Sequence, residues 1–207
     1  ALAKRYRGPQ PLDPSNSGPQ LVDYANAMRD VARTFPDDVD VLVLFAEAMM
    51  DTNAWKLWTA NGKAAIGTPE IEETLEKALA KDPAHPGANH YYIHTMEASP
   101  TPDRALASAE RLRGMMPGAG HLQHMPAHIL QRVGRYEDAA RANREGVTAD
   151  LAYMKRTSPL DYYGMYLAHN YQFLAYAATM EGRKAEALEA ARKMRDLLPA
   201  EMLLTMP

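Results

Sequence analysis

The chain contains no cysteine. That absence excludes disulfides and thiolate ligands, and it confines any metal site to nitrogen and oxygen donors. Also missing is a run of about 18 apolar residues that could span a bilayer, and no charged, apolar, small-residue opening reads as a signal peptide. A soluble chain without a membrane partner is therefore expected. There is no basic stripe either. Lys and Arg number 23 against 26 Asp and Glu, for a formal charge of -3, and the signs are interspersed. Such a surface does not track a phosphate backbone, which excludes nucleic acid as a first-choice partner. No nucleophile elbow, phosphate loop or dinucleotide fingerprint is present, so no short motif announces a reaction class. The opening "ALAKRYRG" lacks a methionine, which fits either a processed product or a fragment.

What is present is ordinary for a globular chain: 207 residues, 46% hydrophobic and 24% charged. That length is sufficient to bury a continuous core. Pro36, Pro83, Pro117 and Pro199 each close an apolar, alanine-rich helical stretch, and Leu151 stands in the equivalent place between the last two. The intervals along this series are 47, 34, 34 and 48 residues. A repeat of 34 residues, enlarged at two points by insertions of 13 and 14, accounts for all four.

The unit carries "GRYEDAARAN" from Gly134 and "GRKAEALEAARKM" from Gly182. With the 34-residue period, these segments resemble the tetratricopeptide repeat (TPR), a helix-turn-helix whose second helix starts just after such a glycine. Ala105, Ala139 and Ala187 fall where two helices of that motif pack closely, while Ile71 in the earlier unit departs from it. Asn89, Ile93, Gln123 and Ala127 also depart from the aromatic and glycine places of the first helix. The resemblance covers about residues 20 to 199 and implies an all-α fold, a right-handed α-solenoid of stacked antiparallel helix hairpins.

On this reading residues 20–35 form a lone second helix, and four hairpins follow over about 38–83, 86–117, 120–151 and 162–199. Their first helices are expected near 38–52, 86–98, 120–133 and 162–181, and their second helices near 69–82, 101–116, 135–149 and 183–197. Residues 1–19 hold Pro9, Pro11, Pro14 and Pro19 among Gly, Ser and Asn, and read as an extended arm or linker. Residues 200–207 read as a tail or the start of a further repeat. The 13 extra residues lengthen the turn between Met49 and Ile71 into "NAWKLWTANGKAAIGT". Long loops in compact stacks tend to be lids or binding loops, so Trp55 and Trp58 make this one a candidate lid, the alternative being that they anchor the loop. The 14 extra residues fall around "YMKRTSPLDYYG", between hairpins, where they extend the following first helix on one reading.

Six of the seven histidines obey the repeat arithmetic. His90 and His94 are four apart, His124 and His128 are four apart, and the second pair follows the first by 34 residues. Stacked hairpins set equivalent positions of successive first helices side by side, so the spacing predicts His90 beside His124 and His94 beside His128. His121 lies three before His124, and adding 48 to it reaches His169. Glu97, three past His94, keeps to the same helical face. Glu47 and Asp40 occupy the matching places in the preceding hairpin and offer oxygen donors, whereas His85 reads as a turn residue. Pro126 either kinks its helix or marks the true start of it, and in the second case His121 and His124 change direction. Most tyrosines read as packing between repeats and the methionines as core filler.

In TPR proteins the first helices line a concave groove that binds ligands. Here the groove is expected to carry imidazoles in place of the usual Lys, Arg and Asn clamp. The metal expectation is a transition ion, copper, zinc or iron, on His90, His94, His124 and His128, with His121 and His169 as further ligands or second-layer donors. Glu97 would be ligand or general base, the catalytic candidate if an open coordination position supports hydrolytic or oxidative chemistry. The competing expectation is a metal-free scaffold holding a small molecule or a peptide in that groove. "HPGANHYYIH" and "GHLQHMPAHI" also resemble segments of a bacterial histidine-rich TPR-like group whose role is unassigned.

Overall fold

The computed structural model describes residues 1–8, 18–157 and 163–198. The expectations placed on residues 9–17, on Tyr162 at the start of the fourth first helix, and on the tail at 200–207 lie outside the described residues. Among those described there is no strand, and an isolated antiparallel bridge joins Trp58 to Ala64. No helix of the described residues is long and apolar enough to cross a membrane. The chain divides into two compact units, Ala1–Thr101 and Pro102–Pro207, at a boundary bracketed by Pro100 and Pro102 inside the hairpin expected over 86–117.

The first unit holds α1 (Leu2–Arg5), α2 (Gly18–Thr34), α3 (Val39–Met50), α4 (Thr68–Lys81) and α5 (Pro86–Met96). Residues 1–19 are thus not wholly extended. Leu2–Arg5 lacks Gly and Pro and takes one helical turn, and α2 starts at Gly18 with Pro19 in its first turn, where no backbone donor is needed. Local chemistry sets the other starts. Asp38 caps α3 by accepting from the Val41 N–H at 3.1 Å. His85 caps α5, its Nδ1 accepting from the Ala88 N–H at 3.1 Å, and Pro86 follows at the first helical position. The core of the unit is built from Leu42, Phe45, Ala46, Ile71, Leu75, Ala78 and Ile93.

The long turn after α3 opens with a 3-10 turn at Asp51–Asn53 and is pinned at several points. Leu57 is buried, its carbonyl accepts from Thr68 Oγ1 at 2.9 Å, and Trp58 Nε1 donates to the Thr95 carbonyl on α5 at 2.7 Å. Trp58 therefore acts as the anchor. Trp55 is presented differently, 88% exposed on a left-handed backbone with φ 63°.

In the second unit, a 3-10 turn at Pro102–Ala105 leads into α6 (Leu106–Leu112). The helix expected over 101–116 is thus shorter than its sequence suggests, because Pro102 withholds a donor at one end and Gly114 turns left-handed, φ 74°, at the other. Next come α7 (Gly120–His124) and α8 (Pro126–Leu130), in place of one helix over 120–133. Pro126 produces a kink and not a new start: Met125 stays helical at φ -48° and ψ -38°, its N–H still bonded to the His121 carbonyl. Then follow α9 (Tyr136–Met154), α10 (Tyr163–Met180) and α11 (Lys184–Leu197). Helix α9 runs five residues beyond the expected 149, so part of the second insertion lengthens this second helix.

The repeated glycine has a clear task here. Gly134 and Gly182 take φ 80° and 71°, and the following Arg135 and Arg183 N–H groups close back on the Leu130 and Ala178 carbonyls at 2.8 Å each. Such a left-handed cap ends the first helix and aims the chain into the second. Ala139, Ala140 and Ala142 of α9, all fully buried, let that helix approach Ala127, Leu130, Leu167, Tyr171, Leu174 and Ala177 closely.

Candidate metal centre

In the second unit, α7, α8 and α10 bring three imidazoles together. His124 ends α7, and His128 lies beyond the kink on α8. Because Met125 stays helical, the four-residue spacing still keeps the two rings on one face, with centroids 4.7 Å apart. From α10, His169 places its ring 4.8 Å from His124 and 5.6 Å from His128. One ligand nitrogen from each of the three lies within 4.8 Å of the others. Phe173, one turn after His169, sits 4.8, 4.5 and 4.6 Å from the rings of His124, His128 and His169 and forms an apolar wall. His121 is the outer member, its ring 6.0 Å from His124 and 5.3 Å from Tyr166.

Hydrogen bonds determine which nitrogen of His124 is available. Asn143 Nδ2 on α9 donates to the Ala139 carbonyl at 2.8 Å, which turns the amide oxygen toward His124. That oxygen lies 2.6 Å from His124 Nδ1, so Nδ1 carries the proton and donates it. The Nε2 lone pair is left for its other neighbour, His128 Nε2, at 2.8 Å. His124 is fully buried. Burial first, and then the nearby His128 and His169 rings, hold its imidazole well below the ordinary histidine range, against the opposing bond from Asn143. A neutral imidazole with one lone pair presented and the other nitrogen tied to a fixed acceptor is the arrangement of a histidine ligand.

Bonds of about 2.0 to 2.1 Å to a tetrahedral ion separate two ligand nitrogens by about 3.3 Å. The His124 and His128 pair would need to open by roughly 0.5 Å to reach that separation. Side-chain rotation supplies such an opening, and the donor set is all imidazole, so the three residues fit a transition ion.

The first unit carries the other expected residues. His90 and His94 on α5 have ring centroids 4.9 Å apart, and His90 also packs on Tyr91 at 4.8 Å. Glu97 Oε1 lies 2.8 Å from His94 Nδ1, which makes it an orienting partner of that ring. Trp55 meets His94 edge-on at 6.0 Å, so the tip of the long turn stands over this pair while Trp58 holds its base. Asp40 and Glu47 are engaged elsewhere. Asp40 accepts from His85 Nε2 at 2.9 Å, and Glu47 pairs with Arg5 at 3.5 Å.

Two contributors to the imidazole cluster were not anticipated from sequence, Asn143 and Phe173, and neither was the pairing of Glu47 with Arg5. Asn143 left a trace, because Ala139, Ala142, Asn143, Gly146 and Val147 form the buried stripe of α9 at helical spacing. A buried amide in such a stripe needs a partner.

No protein-family model matches this chain, and no curated protein matches it. Solved structures do. A crystal structure of MamA superposes with a TM-score of 0.64 at 14% identity over 91% of this chain and 96% of that one. Another crystal structure of MamA gives 0.62 at 13% over 90% and 87%. The fold is TPR-like. At this identity the likeness concerns the TPR-like helical fold alone, and the histidine cluster stands on its own geometry.

Proposed function

We propose that this TPR-like chain is a metal-binding protein whose second unit holds a transition-metal ion on His124, His128 and His169. The observation that supports it most directly is the Asn143 contact, which fixes the His124 tautomer and turns its Nε2 lone pair toward His128. Imidazole donors without thiolate suit copper, zinc or iron. Three protein ligands leave a coordination position for water or substrate, so hydrolytic or oxidative chemistry is open to the site. Phe173 lowers the local polarity on one side and strengthens the ion's hold on the rings.

Elemental analysis after loading with zinc and desalting tests this. The chain is expected to retain an equivalent that the His124→Ala, His169→Ala double variant loses. Asn143→Ala should weaken zinc binding by about 10 to 100-fold, as removal of a histidine's orienting partner does. Retention of the same stoichiometry by the double variant would overturn the proposal. A chain that retains no zinc at all would favour a metal-free scaffold whose groove holds a small molecule or peptide.

A further inference from the structure

Helix α5 of the first unit presents a histidine pair that the metal centre of the second unit does not use. His90 and His94 are four residues apart on one unbroken helix, so both side chains leave the same face one turn apart. Their ring centroids lie 4.9 Å apart with the planes at 68°, and one ligand nitrogen from each lies within 4.8 Å of the other. Bonds of about 2.0 to 2.1 Å set two nitrogens on neighbouring positions of one ion about 3 Å apart. Rotation of the rings about their side-chain bonds reaches that separation. The chelate is thus prepared by a single helix, with no second element needed to bring its donors together.

An independent observation points to a ligand role for His94. Glu97 Oε1 lies 2.8 Å from His94 Nδ1, and the two side chains are only 23% and 15% exposed. A carboxylate accepts and does not donate, so Nδ1 carries the proton and Nε2 is the nitrogen that can serve a metal. A carboxylate on the far nitrogen is the usual outer support of a ligating histidine, because it fixes the tautomer and raises the basicity of the ring. Asn143 gives His124 the same support in the other unit, through a neutral oxygen.

The long turn supplies a cover. Its base is tied to α5 beside the pair, since Trp58 Nε1 donates to the carbonyl of Thr95, the residue after His94, at 2.7 Å. From that base Trp55 meets the His94 ring edge-on at 6.0 Å. A bulky residue at φ 63° is an uncommon backbone state, and burial does not account for it, because Trp55 is 88% exposed. Strain of this sort is kept where the placement of a side chain matters.

We propose that His90 and His94 form a second metal site, separate from the His124 cluster, which chelates one copper(II)-class ion through two imidazoles, with solvent in the remaining positions and Trp55 standing over the ion. Two imidazoles with water suit a tetragonal ion of nitrogen and oxygen donors, and copper(II) stands highest in affinity among the divalent first-row metals. Two protein donors against three make this the weaker of the two sites.

Trp55 and Trp58 are the chain's only tryptophans, so intrinsic fluorescence reports on this region. The test takes the full chain carrying His124→Ala and His169→Ala, which removes the other centre, and titrates it with copper(II) sulfate. Fluorescence is expected to fall to a plateau at one equivalent, where electron paramagnetic resonance should show coupling to two imidazole nitrogens. Adding His90→Ala or Glu97→Ala should weaken binding by at least about tenfold, as loss of a ligand or of its orienting partner does. Trp55→Phe should keep the stoichiometry and remove most of the quenching, and quenching that survives it refutes the cover. A titration unchanged by His90→Ala, or one that never saturates, overturns the site and leaves the His124 centre untouched, since zinc retention tests that centre separately. Circular dichroism melting curves of the variants verify that each is folded at the assay temperature.

Discussion

Replacing Gly120 with alanine is expected to destabilise the protein by about 3 kcal/mol or more, near the upper end of what overpacking produces. A Cβ on Gly120 would lie 1.9 Å from Asp150 Oδ1 and 2.7 Å from the Gly146 carbonyl oxygen. Neither neighbour can retreat. Gly146 is backbone within α9, and Asp150 is fully buried, its two oxygens accepting from the Tyr163 hydroxyl at 2.8 Å and from Asn170 Nδ2 at 2.7 Å. The glycine is required for close approach of α7 to α9, not for an unusual backbone angle. Urea unfolding measures the effect. Gly118→Ala serves as the comparison, because an added Cβ there meets nothing within 4 Å, so its change should stay within about 0.5 kcal/mol. A Gly120→Ala midpoint indistinguishable from that of Gly118→Ala would show that the crossing is looser than described. Zinc retention should fall with it, since α7 carries His124.

The second large effect is loss of stability in mild acid once metal has been removed with a chelator. The His124 imidazole is held well below its ordinary value by burial. The unfolded chain, with an ordinary histidine titrating near 6.5, therefore takes up a proton that the folded chain refuses. The contribution of His124 is fully present above about pH 6.5 and is lost as pH falls toward its folded value, with a limiting slope of about 1.4 kcal/mol per pH unit. Unfolding free energies measured between pH 7.5 and 5.5 should decline along this slope, and the decline should flatten in a His124→Asn variant. Asp150 works in the opposite sense, because burial raises its carboxyl and its contribution is lost as pH rises. It is common to both chains, so the difference between them isolates the histidine. Parallel pH profiles for the two would refute the assignment of acid lability to His124.

Several features could be read before any coordinates. The glycines of "GRYEDA" and "GRKAEA" marked the turns where Gly134 and Gly182 adopt left-handed caps. Repeat arithmetic pointed from His121 to residue 169, and the His169 ring lies 4.8 Å from that of His124. Pro126 left two courses open, and the helical Met125 shows that the chain takes the kink. The repeat arithmetic overran the ends of α6, which local breakers set, Pro102 by withholding a donor and Gly114 by turning left-handed. Other features were not legible. Trp55 and Trp58 look alike in sequence, yet one donates its indole N–H to Thr95 and the other is 88% exposed. Glu47 and Asp40 matched the histidine register, and both are engaged by cations or imidazole of their own neighbourhood.

Local patterns by themselves determined that the chain builds helical hairpins and that any metal donors are nitrogen or oxygen atoms, because periodicity and glycine caps act over a few residues and the chain has no cysteine. Tertiary structure alone decided which nitrogen of His124 is presented, why Gly120 cannot carry a side chain, and where Arg5 rests. Each of those depends on contact between residues at least 19 positions apart, a distance over which no periodicity of one helix reaches.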